Sequence, residues 1–301
     1  MRPIFFSIII PHHETPELLA RCLASIPQRD DTEIIVIDDN STDGEEYPSK
    51  YPFLRRRDLF FVPTHEGKGG GYARNVGLEM AQGKWLLFAD SDDFFTDALP
   101  EILDEYRDSD LEMVYFNVLS VCSDDISKPA HRDKDRLFEG FAKTDDINLF
   151  RVRYTEPWGK LIKRDLIKKN NIRFDEVRVC NDLWFCLLAS FNAKNLIADN
   201  RRLYVATLRE GSVCYNDVDT LEKILIRIDV HCRAYNYLKK HNIPEELMLK
   251  RIRSFMLQLL LHHKAAFFRE LCAMPRRKVP LLKLAYHCIA PKSKTFRLYF
   301  G

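Results

Sequence analysis

Nine residues constrain this chain more than any others: Trp85-Leu86-Leu87-Phe88-Ala89-Asp90-Ser91-Asp92-Asp93. The apolar run is too short for an amphipathic helix and lacks polar alternation, so it reads as a strand buried on both faces of a parallel sheet. Ligands of such sheets sit beyond the carboxyl ends of the strands, which is where this run delivers three acids. Carboxylates this crowded repel one another unless a cation lies among them. Hard divalent cations prefer oxygen ligands and commonly share a few carboxylates with a phosphate. A metal–diphosphate site at Asp90, Asp92 and Asp93 is one reading. An Asp-rich turn in which Asp93 caps the next helix is the other, and the pattern alone leaves both open.

Other segments repeat the strand-then-helix pattern. Phe5 to Ile10 is a continuous apolar run, and Thr15-Pro16 then reads as the N-cap and first position of a helix with Leu18, Leu19, Cys22, Leu23 and Ile26 on one face. Strands are expected at 33–37, 59–62, 84–89, 113–121 and 203–208, with helices over 72–81, 97–106 and from Asn181-Asp182 to Phe191. Unbroken apolar strands alternating with helices imply an α/β fold with a mostly parallel sheet. Residues 123–146 are charged with little periodicity and are expected to form loops and short elements over the site. The 156–162 stretch is expected to turn into a strand or helix.

From Asp219 onward the period becomes helical. A helix over 219–240, opened by an Asp219/Glu222 capping box, is expected to precede a second over 245–271 with Leu249, Ile252, Met256, Leu259, Leu260 and Phe267 inward. A third amphipathic piece follows Pro275–Pro280. The expected domains are 1–215, α/β, and 216–301, a basic helical region.

The 301 residues carry a net charge of +2, unevenly spread: residues 250–301 hold twelve Lys/Arg against Glu270 alone, giving +11. A basic tail of this kind suits an anionic membrane surface or a nucleic acid. Nucleic acid is disfavoured, since the chain lacks helix-turn-helix and zinc-finger patterns and an aromatic platform among the basic residues. Eight scattered cysteines without a C-x-x-C pair argue against a zinc cage and suit a reducing cytosol. The run from Ile4 to Ile10 is short for a signal sequence and reads as a strand. No window approaches the ~18–20 apolar residues that span a bilayer, so a cytoplasmic protein, at most peripheral at the inner face of the cell membrane, is expected.

Two strand ends carry acids, Asp38-Asp39 and Asp90 to Asp93, and Gly67-Lys68-Gly69-Gly70-Gly71 should lie at the same sheet edge. Lys68 is followed by glycine, not by Ser or Thr, which excludes a P-loop. Pro11-His12-His13 stands where a dinucleotide-binding loop would need glycines. A metal-dependent nucleotide site, with one acid on the base or ribose and another on the metal, remains.

Four segments in order carry a resemblance: Ser7-Ile8-Ile9-Ile10-Pro11, Ile35-Val36-Ile37-Asp38-Asp39-Asn40-Ser41-Thr42-Asp43, Gly71-Tyr72-Ala73-Arg74-Asn75-Val76-Gly77, and Phe88-Ala89-Asp90-Ser91-Asp92-Asp93. Over residues 5–215 the chain resembles a family 2 glycosyltransferase with a GT-A fold, of the kind found in bacterial polysaccharide synthesis. That resemblance implies an inverting, metal-dependent transfer from a nucleotide-sugar, most often UDP-linked, to a hydroxyl of a lipid-linked or oligosaccharide acceptor. It implies Pro11 and Asp39 at the base and ribose, Arg74 and Asn75 near the nucleotide, Asp90 on the ribose, and Asp92 on Mn²⁺ or Mg²⁺. Asp182 would be the catalytic base, in a pair whose usual Glu is here Asn181; the alternative is that Asp182 caps the following helix. Glu156-Pro157-Trp158-Gly159-Lys160 is similar to the family's acceptor-side segment, which would place Trp158 and Lys160 there. A His common near Arg209-Glu210-Gly211-Ser212 is missing, and Arg209 would serve the diphosphate. His12 and His13, where relatives often have Tyr-Asn, are read as surface residues. These departures keep a second function open: a nucleotide-sugar-binding assembly partner impaired in catalysis.

Overall fold

The computed structural model describes residues 3–209, 220–243, 246–281 and 284. The chain divides into two compact units, Met1–Tyr215 and Asn216–Gly301; the boundary expected near residue 215 falls outside the described residues. In the first unit the elements run β1 (Phe6–His12), α1 (Pro16–Ala24), β2 (Thr32–Asp39), α2 (Tyr47–Lys50), β3 (Leu59–Thr64), α3 (Gly70–Met80), β4 (Trp85–Phe88), β5 (Phe94–Phe95) and α4 (Leu99–Tyr106). They continue as β6 (Met113–Cys122), α5 (Asp135–Thr144), α6 (Asn148–Arg153), β7 (Lys160–Lys163), α7 (Arg164–Lys169), α8 (Leu183–Asn192) and β8 (Leu196–Leu208).

One eight-stranded sheet has the order β3-β2-β1-β4-β7-β6-β8-β5. β1 pairs in parallel with β2 and β4, β2 with β3, and β6 with β8, while β7 and β5 run against their neighbours. This is an α/β GT-A architecture with a mostly parallel sheet. Its unbroken apolar strands follow from burial on both faces: every residue of β4 is buried, as are Phe6 and Ile8 to Ile10 of β1. Each large apolar side chain removed from water there contributes about 2 kcal/mol. The strand order turns back between β1 and β4, and the crevice at such a switch point is where an open α/β sheet receives ligands.

Several expectations need correction. Residues 123–146 hold the helix α5, whose Phe138 and Phe141 pack edge-on against Phe150 of α6 at 4.8 and 5.2 Å. β8 begins at Leu196, seven residues before the expected start, because its polar first half still pairs with β6. β5 is only two residues long and takes its strand form from pairing with β8. His12 is buried, because β1 runs on to pair His12 with Asp38 of β2.

The second unit holds α9 (Leu221–Lys240), α10 (Glu246–His262) and α11 (Lys264–Ala273). α9 buries Ile224, Ile228, Cys232, Tyr235 and Leu238, and α10 buries Leu249, Ile252, Met256 and Leu259. The single helix expected over 245–271 is broken at His263, which leaves helical geometry with φ −142° and ψ 60°. Leu260, expected inward, is exposed on α10. Thr220 is the N-cap of α9, accepting from the Lys223 amide at 3.3 Å; Asp219 lies outside the described residues. Arg277 clasps the unit by bonding Asp229 at 2.7 Å and Glu270 at 3.1 Å. Most of the amphipathic piece expected after Pro280 also lies outside the described residues.

Candidate functional site

The crevice is built from the ends of β1, β2 and β4, the start of α3 and the start of α8. β2 ends in Asp38 and Asp39, which do different work. Asp38 is buried and closes its own turn, accepting from the Ser41 amide at 3.0 Å and the Ser41 hydroxyl at 2.6 Å. Asp39 accepts from the Gly69 amide at 2.7 Å through Oδ2, while its Oδ1 is buried with no hydrogen-bond partner. A buried acceptor left unmet is costly unless a ligand meets it. Gly69 holds φ at +90°, a conformation that favours glycine, and a side chain there would enter open space. Pro11 is half-buried on β1, opposite Ile37.

α3 presents Arg74 to the crevice. One guanidinium nitrogen donates to Asp90 Oδ1 at 2.5 Å and another to Asn181 Oδ1 at 3.2 Å, with the Phe174 ring 5.5 Å away. Arg74 therefore ties the acidic end of β4 to the start of α8. This close approach requires glycine at 71, where an added Cβ would stand 2.1 Å from the Asp175 carbonyl oxygen. Asn75 faces elsewhere: its amide oxygen accepts from the Phe174 amide at 2.9 Å, and its nitrogen donates to the Phe174 carbonyl at 3.0 Å. Its observed role is to clamp the loop before α8.

Asp90, Asp92 and Asp93 bring carboxylate oxygens within 4.8 Å of one another. The three are unequal. Asp93 is fully buried and accepts from the Tyr204 hydroxyl at 3.0 Å and the Thr207 amide at 2.6 Å. Tyr204 also accepts from the Asp90 amide at 2.8 Å, so β8 braces the whole turn. Burial, then the charges of Asp90 and Asp92, push the Asp93 carboxyl well up. Asp92 is likewise pushed up by burial and by Asp90, and is drawn down by Arg209 and Arg132. With Asp93 engaged by β8 and Asp90 by Arg74, Asp92 is the acid best placed to offer oxygen to a cation. This donor set fits Mg²⁺ or Mn²⁺, which take one or two carboxylates and fill the rest with water and phosphate oxygens.

Sequence reasoning missed Arg132, which donates to the Thr207 carbonyl at 3.4 Å and lies 5.4 Å over the Trp158 ring. It missed Arg21 too, whose Nη2 holds the Asp92 carbonyl. Neither had a signal: Arg132 sits in the segment without periodicity, and Arg21 looks like an ordinary cation in the last turn of α1. Arg209, the expected diphosphate residue, is half-buried at the end of β8, and its charge is felt at Asp92.

Asp182 directly precedes α8, and its side chain makes no capping hydrogen bond. Burial pushes its carboxyl up to about 6, with Glu156 and Asp90 adding to the rise and Arg74 opposing it. Trp158 and Lys160, expected on the acceptor side, are both buried. Trp158 is 1% exposed, stacked on Tyr204 with ring centroids 5.5 Å apart. Lys160 is equally buried, donates to the Glu156 carbonyl, and lies 3.7 Å over the Tyr154 ring. Burial lowers its amine to about 8. Both side chains are held by packing against Tyr204 and Tyr154. Glu156 forms a 2.9 Å ion pair with Lys134. Burial works against its ionised form, but Lys134 and Lys160 outweigh it and hold the carboxyl at about 2. His12, despite its 3.8 Å approach to Asp38, is driven down to about 4 by burial and stays neutral.

Comparison with known proteins adds three findings. Residues 7–170, more than half of the chain, match the family described as Glycosyl transferase family 2. The chain is 28% identical over 217 residues to poly(ribitol-phosphate) beta-N-acetylglucosaminyltransferase TarS of Staphylococcus aureus, an alignment covering 68% of this chain and 36% of that enzyme. It is also 28% identical over 240 residues to the cholesterol galactosyltransferase of Borreliella burgdorferi, covering 70% of this chain and 64% of the relative. The chain thus spans about a third of the length of the TarS enzymes. In fold it is similar to the crystal structure of S. aureus TarS 1–349 in complex with UDP-GlcNAc, with a TM-score of 0.63 and 22% identity over 87% of this chain and 74% of that one.

Proposed function

The chain belongs to glycosyl transferase family 2, and on that premise we propose that it transfers a sugar from a UDP-linked donor to an acceptor hydroxyl, with inversion, in the synthesis of a cell-surface polysaccharide. The observation that carries the reading is the division of labour among the acids. Asp39 keeps an unmet buried oxygen, Asp92 brings a carboxylate oxygen within 4.8 Å of those of Asp90 and Asp93, and Asp182 stands at the start of α8 without capping it. The relatives named above, which act on poly(ribitol-phosphate) and cholesterol, support sugar transfer as the reaction class.

In this reading Asp39 accepts from the base and Asp90 from the ribose, with Pro11 forming part of the same wall. Asp92 holds Mg²⁺ or Mn²⁺, which when bound would supply Lewis-acid stabilisation of the leaving diphosphate. Arg209 and Arg132 add fixed positive charge where negative charge develops. Asp182 accepts the proton of the acceptor hydroxyl as its oxygen bonds to the anomeric carbon and the bond to the diphosphate breaks. A carboxyl near 6 is ionised at neutral pH yet more basic than an ordinary aspartate, as a general base requires. The catalytically impaired alternative rests on the Asn181 departure and the missing His near Arg209, and Asn181 has a role here in accepting from Arg74.

Peripheral membrane contact is part of the proposal. Leu257, Leu261 and Phe268 are exposed on α10 and α11, within a stretch whose net charge is +11.

The test is a calorimetric titration of UDP with Mn²⁺ and then with excess EDTA, using the wild type and Asp92→Ala. Metal-dependent binding that Asp92→Ala weakens about tenfold or more is expected. Silence with UDP under both conditions would overturn the donor assignment.

A further inference from the structure

Outside the acid cluster, the first unit contains a cavity of about 450 Å³ lined by His131, Asp133, Lys134, Arg136, Leu137 and Arg153. Four of the six can carry positive charge and one negative. Lys134 is matched by Glu156 at 2.9 Å. Arg136 makes no hydrogen bond or ion pair among the described residues, so its guanidinium is available to a ligand. The volume suits a small charged group and the few atoms around it.

The cavity's position gives it meaning. Lys134 and Arg132, two residues apart, lie 5.2 and 5.4 Å over the same Trp158 ring. Trp158 stacks on Tyr204, the residue that holds the Asp90 amide and Asp93. Arg132, between two wall residues, donates to the Thr207 carbonyl at 3.4 Å, and the Thr207 hydroxyl donates to the Asp92 carbonyl at 2.8 Å. Lys134 on the wall pairs with Glu156 at 2.9 Å. A group seated in the cavity is therefore linked to the acid turn through Trp158, Tyr204 and Thr207.

Resting on the glycosyltransferase reading above, we infer that this cavity is an acceptor subsite that takes a phosphate group, so the acceptor is a phosphate-bearing molecule. Arg136 supplies planar donors that match phosphate oxygens, and Arg153 adds positive charge to the same wall. Lys134, already paired, sets the rim, and Asp133 disfavours a second anion. The phosphate has two chemical sources: a phosphodiester in the acceptor polymer, or the pyrophosphate that joins a saccharide to a lipid carrier.

The test uses the full chain with UDP and Mg²⁺ in excess, so that the donor site is occupied. Three probes are titrated: a glycerol-phosphate oligomer, a disaccharide on a short prenyl pyrophosphate, and a neutral oligosaccharide of the same length. At least one phosphate probe should bind, weaken as salt rises, and lose about tenfold or more in Arg136→Glu. Arg136→Lys should recover part of that loss, and Arg153→Gln should show a loss of the same sign. The probe that binds identifies the source. Arg136→Glu should leave UDP affinity unchanged, which also shows that the variant is folded. The inference is overturned if neither phosphate probe binds the wild type, if the neutral probe binds as well, or if Arg136→Glu binds at wild-type strength. UDP affinity measured on the same samples separates the two claims: phosphate binding without UDP binding would sink the donor reading and leave the cavity an anion site.

Discussion

Replacing Asp182 with asparagine should strongly reduce transfer and, at neutral pH, make the protein more stable. The carboxyl is pushed up to about 6, about two pH units above an unperturbed aspartate, and one unit corresponds to about 1.4 kcal/mol. Holding the ionised form in the fold therefore costs at most ~3 kcal/mol. Asp182 is half-buried rather than sealed, so solvent screening reduces this to about 1–2 kcal/mol. The sign follows from linkage: the native state binds this proton more tightly than the unfolded chain does. The penalty is thus full above pH 6, shrinks as pH falls through 6, and is gone below about pH 4. A neutral amide at this position would carry no such charge. Thermal unfolding of Asp182→Asn should then show a Tm about 2–8 °C above wild type at pH 7.5 and a difference near zero at pH 4. Transfer should fall by a factor on the order of 10² or more. A helix cap behaves differently: asparagine caps as well as aspartate, so the difference at pH 7.5 would be close to nil, and Asp182→Ala would lose about 1 kcal/mol. A Tm difference that is absent or does not change with pH, or near-wild-type transfer, would refute the base assignment.

Two further outcomes follow from the geometry. Tyr204→Phe removes the hydroxyl that links the Asp90 amide to Asp93, leaving a buried carboxylate one donor short; urea unfolding should show a loss of about 1–3 kcal/mol, and an unchanged midpoint would mean the turn is held by Thr207 alone. For the second unit, co-sedimentation with anionic liposomes at low salt should pellet the wild type, and Leu261→Glu/Phe268→Glu should stay in the supernatant; equal pelleting of both would show that the exposed apolar face plays no part.

What the sequence made legible was the half of the site built by local signals. Apolar runs ending in Asp39 and Asp90 announce buried strands and the edge where they stop, and the glycines at 69 and 71 announce close backbone approach. The other half is assembled by distant packing. Nothing near Trp158 in the sequence marks its partner as Tyr204 on β8, which braces the acid turn. The charged 131–136 stretch hides a helix start because its apolar residues, Leu137 and Phe138, come late, and Phe138 is satisfied by Phe150. Arg132 and the adjoining cavity therefore have no one-dimensional signature. The burial of His12 is hidden for a related reason: strand length is set by the partner's ladder, and β2 carries β1 two residues past its apolar run.

The Asn181 departure is better understood through charge than through motif. Arg74 is one cation facing Asp90 directly, and its charge also reaches Asp182. Glu156 and Asp90 already act to raise Asp182. A glutamate at 181 would place a further carboxylate beside Asp182 and compete with Asp90 for the same guanidinium. Both effects would disfavour the ionised form of Asp182 and raise its titration further. Asparagine accepts one hydrogen bond from Arg74 at 3.2 Å and adds no charge. It keeps the arginine positioned while leaving most of its field for the two aspartates. On the proposed reading of Asp182 as base, the substitution leaves its carboxyl ionised at neutral pH and so is no argument against catalysis.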